Sequence, residues 1–367
     1  MGVDVDHPLM REVIGRIATG PHLSKDLSRE QAREAMQLVL EQAVDPVQAA
    51  IFLIALRMKR ETDDENAGVL AAIRDASEHC VADVDELVDL FDPYNGYIRS
   101  LSMVPFMPAV LAACGVASFS HGVETVGPKY GVTSQQVLAA AGIDVGLSVA
   151  AAAERVADNR IGWAYLPQSS FCPQLSDLTA LRHKMVKRSV LTTVEGMAGA
   201  LCGRRATHLI TGYVHKDYPR IYLELARAAG YQSALVVRGG EGGIVPSLRQ
   251  PAAVHRFYSE VSESAEIDPR QLGIEQAVRA LAVSEELEVD DGMTMSAAQR
   301  RRLIEAVLDA GLHALSGGAG AARDSLVYGV ALVLWHIGRD ADLAQAARRA
   351  AQVLDDGSAA AHFAAAR

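Results

Sequence analysis

The sequence predicts an α/β fold: a small N-terminal helical subdomain followed by a larger domain whose mainly parallel central sheet is flanked by helices. Three observations predict it. Three capped helical stretches in succession open the chain. From about residue 86, short apolar runs alternate with helical stretches, which implies parallel strand pairing with helices on both faces. The tail then returns to helices. A length of 367 residues suits two domains, which we place at 1–83 and 84–367.

In the first domain, Ser28 followed by Gln31 reads as a capping box ahead of REQAREAMQLVL. Asp45-Pro46 reads as an N-cap with proline in the first turn, opening PVQAAIFLIALRMK. Thr62 and Glu65 form another capping box before NAGVLAAIRDAS. The strand candidates are LVDLF, ASFS, WAYL, SVLTT, HLITGY and SALVV, each bounded by Gly, Pro or polar residues. Helices between them are expected at PFMPAVLAACG, SQQVLAAAG, RIYLELARAAG and after Thr193. Residues 250–300 read as acidic and irregular. The closing helices are AAQRRRLIEAVLDAGLHAL, ARDSLVYGVALVLWHIG and ADLAQAARRAAQVL, with a short Gly/Ala link ahead of Arg323.

Half the residues are hydrophobic and 22% are charged, an ordinary globular composition. The formal net charge of −10 argues against indiscriminate nucleic-acid binding, which needs a positive field. Cys80, Cys114, Cys172 and Cys202 form no CxxC pair and no zinc spacing, so reduced thiols in a cytoplasmic protein are expected. The acidic start lacks the apolar stretch of a signal peptide, and Asp6 stands where a myristoylation signal wants Ser or Thr. No apolar run reaches the ~18 residues a membrane span requires.

The helical start LSREQAREAMQLVL with DPVQAAIFLIALRMKRETDDENAGVLAAIRDAS, the segment FCPQLSDLTALRHKMVKRS and the late helix GAARDSLVYGVALVLWHIG together resemble the anthranilate phosphoribosyltransferase family over nearly the whole chain. The resemblance implies a homodimer built on the helical subdomain and an active site in the cleft between the two domains. That site would hold phosphoribosyl pyrophosphate and magnesium. The sequence departs from the family at those points. Where the family's glycine-rich donor loop falls, this chain has Asp92-Pro93-Tyr94-Asn95-Gly96: proline removes a backbone donor, Asp92 adds negative charge and Tyr94 adds bulk. The following Asn-Ile-Ser-Thr becomes Ser102-Met103-Val104-Pro105. The family's Lys-His-Gly-Asn-Arg becomes Ser120-His121-Gly122-Val123-Glu124, which keeps His121 and Gly122 and loses both cations. Ile244 and Val245 fall on the acidic pair, and aliphatic side chains cannot hold a hard cation, so no magnesium and no other cofactor is expected.

On the acceptor side, Arg182 matches the family's anthranilate-binding arginine and Arg188 an arginine further on, a residue type suited to carboxylates through its planar fork. Lys129 matches a basic residue of a second phosphate-contacting loop. Tyr94-Asn95-Gly96 with Arg99 close behind, His121-Gly122-Val123, and Arg238-Gly239-Gly240-Glu241-Gly242 are similar to a divergent branch of the family that binds nucleic acid without showing the transferase chemistry.

Arg182 to Arg220 carries eight Lys and Arg residues against two acids, and Arg99, Lys129, Arg238 and Arg249 are expected beside it. Tyr94, Tyr97, Tyr130, Tyr213 and Tyr218 either stack bases or pack internally. The expected binding residues are therefore Asn95, Gly96, Arg99, His121, Gly122, Lys129, Arg182, Arg188, Arg238 and Glu241, with no metal ligand. The expected partner is a small phosphate-bearing ligand or single-stranded nucleic acid, with no membrane. The alternative is a transferase or phosphorylase with an altered donor or acceptor, residual anthranilate phosphoribosyltransferase activity included.

Overall fold

The computed structural model describes residues 7–20, 22–259, 261–284 and 295–367. The Asp6 reading, and part of the acidic stretch near residue 290, lie outside the described residues.

The chain begins with α1 (Pro8–Ile17), α2 (Arg29–Leu40), α3 (Pro46–Lys59) and α4 (Asp63–Asp75). Both expected capping boxes form, at Ser28 with Gln31 and at Thr62 with Glu65, and Asp45 caps α3 through the Val47 N–H. Glu65 does more than cap. Fully buried, its carboxylate accepts from the Thr62 and Leu27 N–H groups, each at 2.8 Å, and from Lys59 at 2.8 Å. Gly68 allows α2 and α4 to cross closely, since a Cβ there would lie 2.2 Å from the Arg29 carbonyl oxygen.

The strands are β1 (Cys80–Val81), β2 (Glu86–Phe91), β3 (Ser118–Gly122), β4 (Trp163–Pro167), β5 (Leu201–Cys202), β6 (Ala206–Gly212), β7 (Ser233–Val237), β8 (Ala252–Tyr258) and β9 (Val261–Ile267). β1 pairs with β5 alone, and the other seven form one sheet in the order β4-β3-β2-β6-β7-β8-β9. From β4 to β7 every pairing is parallel; β8 and β9 add an antiparallel edge.

The parallel strands are buried on both faces, which is why they read as continuous apolar runs. Along β2, Leu87 and Phe91 enter the core that continues into the helical subdomain, while Val88 and Leu90 enter the core on the opposite face. That opposite core is closed by α5 (Met107–Ala113), α6 (Ser134–Ala140) and the four C-terminal helices, α13 (Ala297–Leu315), α14 (Ala321–His336), α15 (Leu343–Asp355) and α16 (Ser358–Ala365). Trp163 is fully buried against it, stacked on Phe363 and donating to the His362 carbonyl oxygen at 3.2 Å. The remaining helices are α7 (Val149–Ala157), α8 (Gln168–Phe171), α9 (Pro173–Asp177), α10 (Thr179–Met185), α11 (Leu191–Val194) and α12 (Tyr218–Ala228).

Three local expectations fail. The helix expected after Thr193 is only a 3-10 turn over Glu195–Met197. SVLTT is not a strand: its β-branched residues form the helical turn α11, with Thr193 N–H bonded back to the Val190 carbonyl oxygen. The turn brings Gly196 against Phe91, where a Cβ would lie 2.0 Å from the ring. The stretch read as irregular contains the β8–β9 hairpin. β9 is exposed along nearly its whole length and polar, so no apolar alternation marks it. Cross-strand pairs Arg256–Glu263 and His255–Ser264 hold it instead.

Candidate functional site

The parallel strands place their C-terminal ends, and the loops that follow, along one edge of the sheet. The chain leaves β2 toward β3 on one side and leaves β6 toward β7 on the other, so the loops after these two neighbouring strands diverge. Such a switch point is where open α/β sheets leave a crevice. A cavity opens there. It is lined by Pro93, Tyr94 and Asn95 after β2, by Tyr213, Val214 and His215 after β6, and by Arg57 of α3. Arg182, Arg188, Glu195 and Glu241 add charged groups to its lining. A second cavity, lined by Tyr97, Ser100, Ser102, Arg238, Gly239, Val245 and Arg279, lies on the other side of the 239–242 loop.

Two of the cations expected to receive a ligand, Arg182 and Lys129, are committed to carboxylates. Arg182 is buried, and its two terminal nitrogens donate to the two oxygens of Glu195 at 2.6 and 2.7 Å. Glu195 also accepts from Gln168 at 3.2 Å. Lys129 meets Glu241 at 2.5 Å and lies 5.4 Å from the centre of the Tyr97 ring. Glu241 accepts in addition from the Ile98 and Arg99 N–H groups at 3.2 and 3.0 Å and from the Ser100 hydroxyl at 2.9 Å. Burial favours its protonated form, but Lys129 and those two N–H groups outweigh it and hold the carboxyl below its ordinary range.

Arg188 is exposed at the first cavity and Arg238 at the second. Part of the basic cluster expected from 182 to 220 is drawn away from the cleft. Arg204 and Arg205 pair with Asp83 and Asp85 beside β1, Arg220 pairs with Asp63 of α4, and His208 is buried against Ser233. Arg249 lines neither cavity.

His121 is buried and does not reach either cavity. Its Nε2 lies 2.7 Å from Asp89 and its Nδ1 lies 2.5 Å from the Tyr94 hydroxyl, while Tyr231 donates to the other Asp89 oxygen at 2.6 Å. With Nε2 protonated toward the carboxylate, Nδ1 accepts from Tyr94, and the phenol becomes the cavity end of a chain anchored in the core. Burial, then the nearby acids, raise the Tyr94 hydroxyl well above its ordinary pKa. Asn95 lines the first cavity. Gly96 (φ +67°) lines neither; it packs against the Val132 backbone, where a Cβ would come within 2.4 Å. Gly122 faces Tyr165 and Tyr94.

Asp92 is buried and accepts from Tyr97 at 2.6 Å; desolvation pushes its pKa up to about 7. Of the five tyrosines, Tyr94, Tyr97 and Tyr213 are buried, Tyr94 and Tyr213 in the wall of the first cavity and Tyr97 in that of the second.

Sequence reasoning missed Asp89, Tyr231, Glu195 and the Asp92–Tyr97 pair. One signal was available for the first: Asp89 is an acid in the middle of the apolar run LVDLF.

The residues do not fit magnesium. Ile244 is buried in the core and Val245 is half-buried and aliphatic, while Asp92 and Glu241 are each capped by donors. Among the described residues no group of three potential ligands converges.

The comparisons with known proteins cover most of the chain. Residues 11–77 match the helical bundle domain of a glycosyl transferase family, and residues 104–360 match the a/b domain of a glycosyl transferase family. A protein from Aquifex aeolicus described as uncharacterized is 28% identical over 68% of this chain and 74% of its own length. An anthranilate phosphoribosyltransferase from Methylocella silvestris is 27% identical over 96% of this chain and 92% of its own. The anthranilate phosphoribosyltransferase of Thermus thermophilus superposes with a TM-score of 0.74 at 21% identity, covering 98% of each chain. That of Saccharomyces cerevisiae in complex with PRPP and Mg gives 0.73 at 13% identity, covering 98% of this chain and 97% of its own. With both domain models matched in order, the chain belongs to the glycosyl transferase family that contains the anthranilate phosphoribosyltransferases.

Proposed function

We propose that this family member binds a phosphate-bearing ligand in the cleft at the β2–β6 switch point, without magnesium and without conventional phosphoribosyl transfer. One observation carries this reading: the carboxylates at the cleft, Glu195 and Glu241, and Asp92 buried beside it are already occupied. Glu195 is held by Arg182, Glu241 by Lys129 and three further donors, and Asp92 by Tyr97, which leaves no acidic pair for a metal. The same pairing removes Arg182 as an open receptor for an acceptor carboxylate. Arg188 at the first cavity and Arg238 at the second have no ion-pair partner among the described residues and remain to attract an anion.

A longer polyanion such as single-stranded nucleic acid is the second reading. Exposed Lys184, Lys187 and Lys216 flank Arg188 and His215 at the mouth of the first cavity, and they too lack ion-pair partners among the described residues.

A homodimer through the helical subdomain is part of the proposal. Val47, Ile51 and Met58 expose apolar side chains along α3 at helical spacing, 66%, 36% and 76% accessible. We place the protein in the cytoplasm, on the reading that its four thiols stay reduced.

A low-salt thermal titration tests the function, because a ligand that binds only the folded state raises the melting temperature. Inorganic phosphate or a short single-stranded oligonucleotide should stabilise the protein without magnesium, and the effect should shrink with salt and in Arg188→Ala. Stabilisation by PRPP that requires magnesium, with anthranilate consumed, would overturn the reading and restore the transferase.

A further inference from the structure

Glu241 sits in a loop made otherwise of glycine: Gly239, Gly240, Gly242 and Gly243. It is the one side chain this loop delivers, and it is delivered from an unfavourable backbone. Its φ of +53° lies in the left-handed region that side chains rarely adopt. The loop's ends are jammed: a Cβ on Gly239 would lie 1.8 Å from the Gly243 carbonyl oxygen, and one on Gly212 would lie 2.1 Å from the same atom. Around Gly240 there is open space.

The group that receives Glu241 is arranged as for an oxyanion. Two consecutive backbone N–H groups, from Ile98 and Arg99, converge on it together with the Ser100 hydroxyl and the Lys129 ammonium. Successive N–H groups aimed at one point make an anion-binding concavity, and an ammonium beside them adds a charge that a neutral ligand would waste. The loop that delivers this carboxylate lies between the two cavities. Glu241 and Gly242 line the first, while Gly239, Gly240 and Ser100 line the second.

We propose that Glu241 is a built-in competitor: its carboxylate occupies a cradle of Ile98, Arg99, Ser100 and Lys129 that takes a phosphate group when Glu241 swings out, and its departure joins the two cavities into one. This deepens the proposed function and rests on it for the identity of the natural ligand, which would place its phosphate in the cradle and its remainder in the first cavity.

The test is calorimetric titration of the full-length protein with inorganic phosphate and with pyrophosphate, free of magnesium. Glu241→Gly removes the carboxylate and suits the positive φ, so it should fold; it should bind at least about tenfold tighter than wild type. The double variant Glu241→Gly with Lys129→Met should lose that gain. Glu241→Gln, which keeps the side-chain shape without the charge, should fall between wild type and Glu241→Gly, and it decides the matter should the glycine variant not fold.

A folded Glu241→Gly variant with wild-type affinity overturns the competitor. If wild type then still binds and Arg188→Ala weakens it, the cleft reading stands without the competitor. Tight phosphate binding by Glu241→Gly that depends on Lys129, with no binding of phosphate, pyrophosphate or oligonucleotide by wild type, supports the cradle and overturns the cleft reading for the native chain.

Discussion

Replacing Arg182 with alanine is expected to remove about 3–5 kcal/mol of folding stability, one of the largest losses any single change to the cleft should produce. The reason is the partner left behind. Glu195 is 2% exposed and satisfied by both arginine nitrogens, with Gln168 its further contact at 3.2 Å. Without Arg182 it is a buried charge with one neutral donor. Equilibrium urea unfolding of the two proteins measures the difference. The pair Arg182→Met with Glu195→Leu should recover most of the loss, because exchanging a buried ion pair for apolar groups is often close to neutral. A loss below about 1 kcal/mol for Arg182→Ala would place the pair among the weak, hydrated bridges of protein surfaces. The structural reading of Arg182 as closed to ligands would then fail.

Asp92→Asn should change how stability depends on pH. The carboxyl of Asp92 titrates near its ordinary value of 3.8 when unfolded and at about 7 when folded, because burial opposes its charge. The folded form therefore holds its proton more tightly. The stability this contributes is complete below about pH 4 and is lost as pH rises through about 7. Asparagine has no such loss and still accepts from Tyr97. Between those limits, the stability of the variant relative to wild type should climb by up to about 4 kcal/mol. Unfolding curves at several pH values across the window measure it. A difference that stays flat would mean that Asp92 ionises as freely in the folded protein as outside it.

The helical subdomain and the parallel strands could be read from the sequence because their signals are local. Ser28 with Gln31 and Thr62 with Glu65 announce helix starts within four residues, and strands covered on both faces are apolar throughout. The β8–β9 hairpin could not be read that way. Its outer strand is polar and exposed, and its pairing depends on β7, which supplies the inner edge. The site divides along the same line. The loops after the strands were located, and Asn95, Arg182, Arg188 and Glu241 do meet at one cavity. Their state of pairing was not legible. Lys129 and Glu241 are more than a hundred residues apart in the chain, and only the folded sheet brings the loops that carry them together. Arg182 and Glu195 are close in sequence, but their contact depends on α11 being a helical turn rather than the extended strand that SVLTT suggested.

The buried carboxylate of Glu65 has a mechanical consequence for the cleft. By gripping the start of α4, the entry to α2 and the end of α3 at one point, it makes those three helix ends a single stiff part. Arg57 is carried by α3 two residues before Lys59, and it reaches the first cavity from that part. Its guanidinium cannot be withdrawn far by a local shift of the helix end alone. A backbone shift that widens the cavity on that side would carry the three helix ends together, so the bundle acts as a lever whose short arm is Arg57 and whose long arm is the exposed stripe of α3.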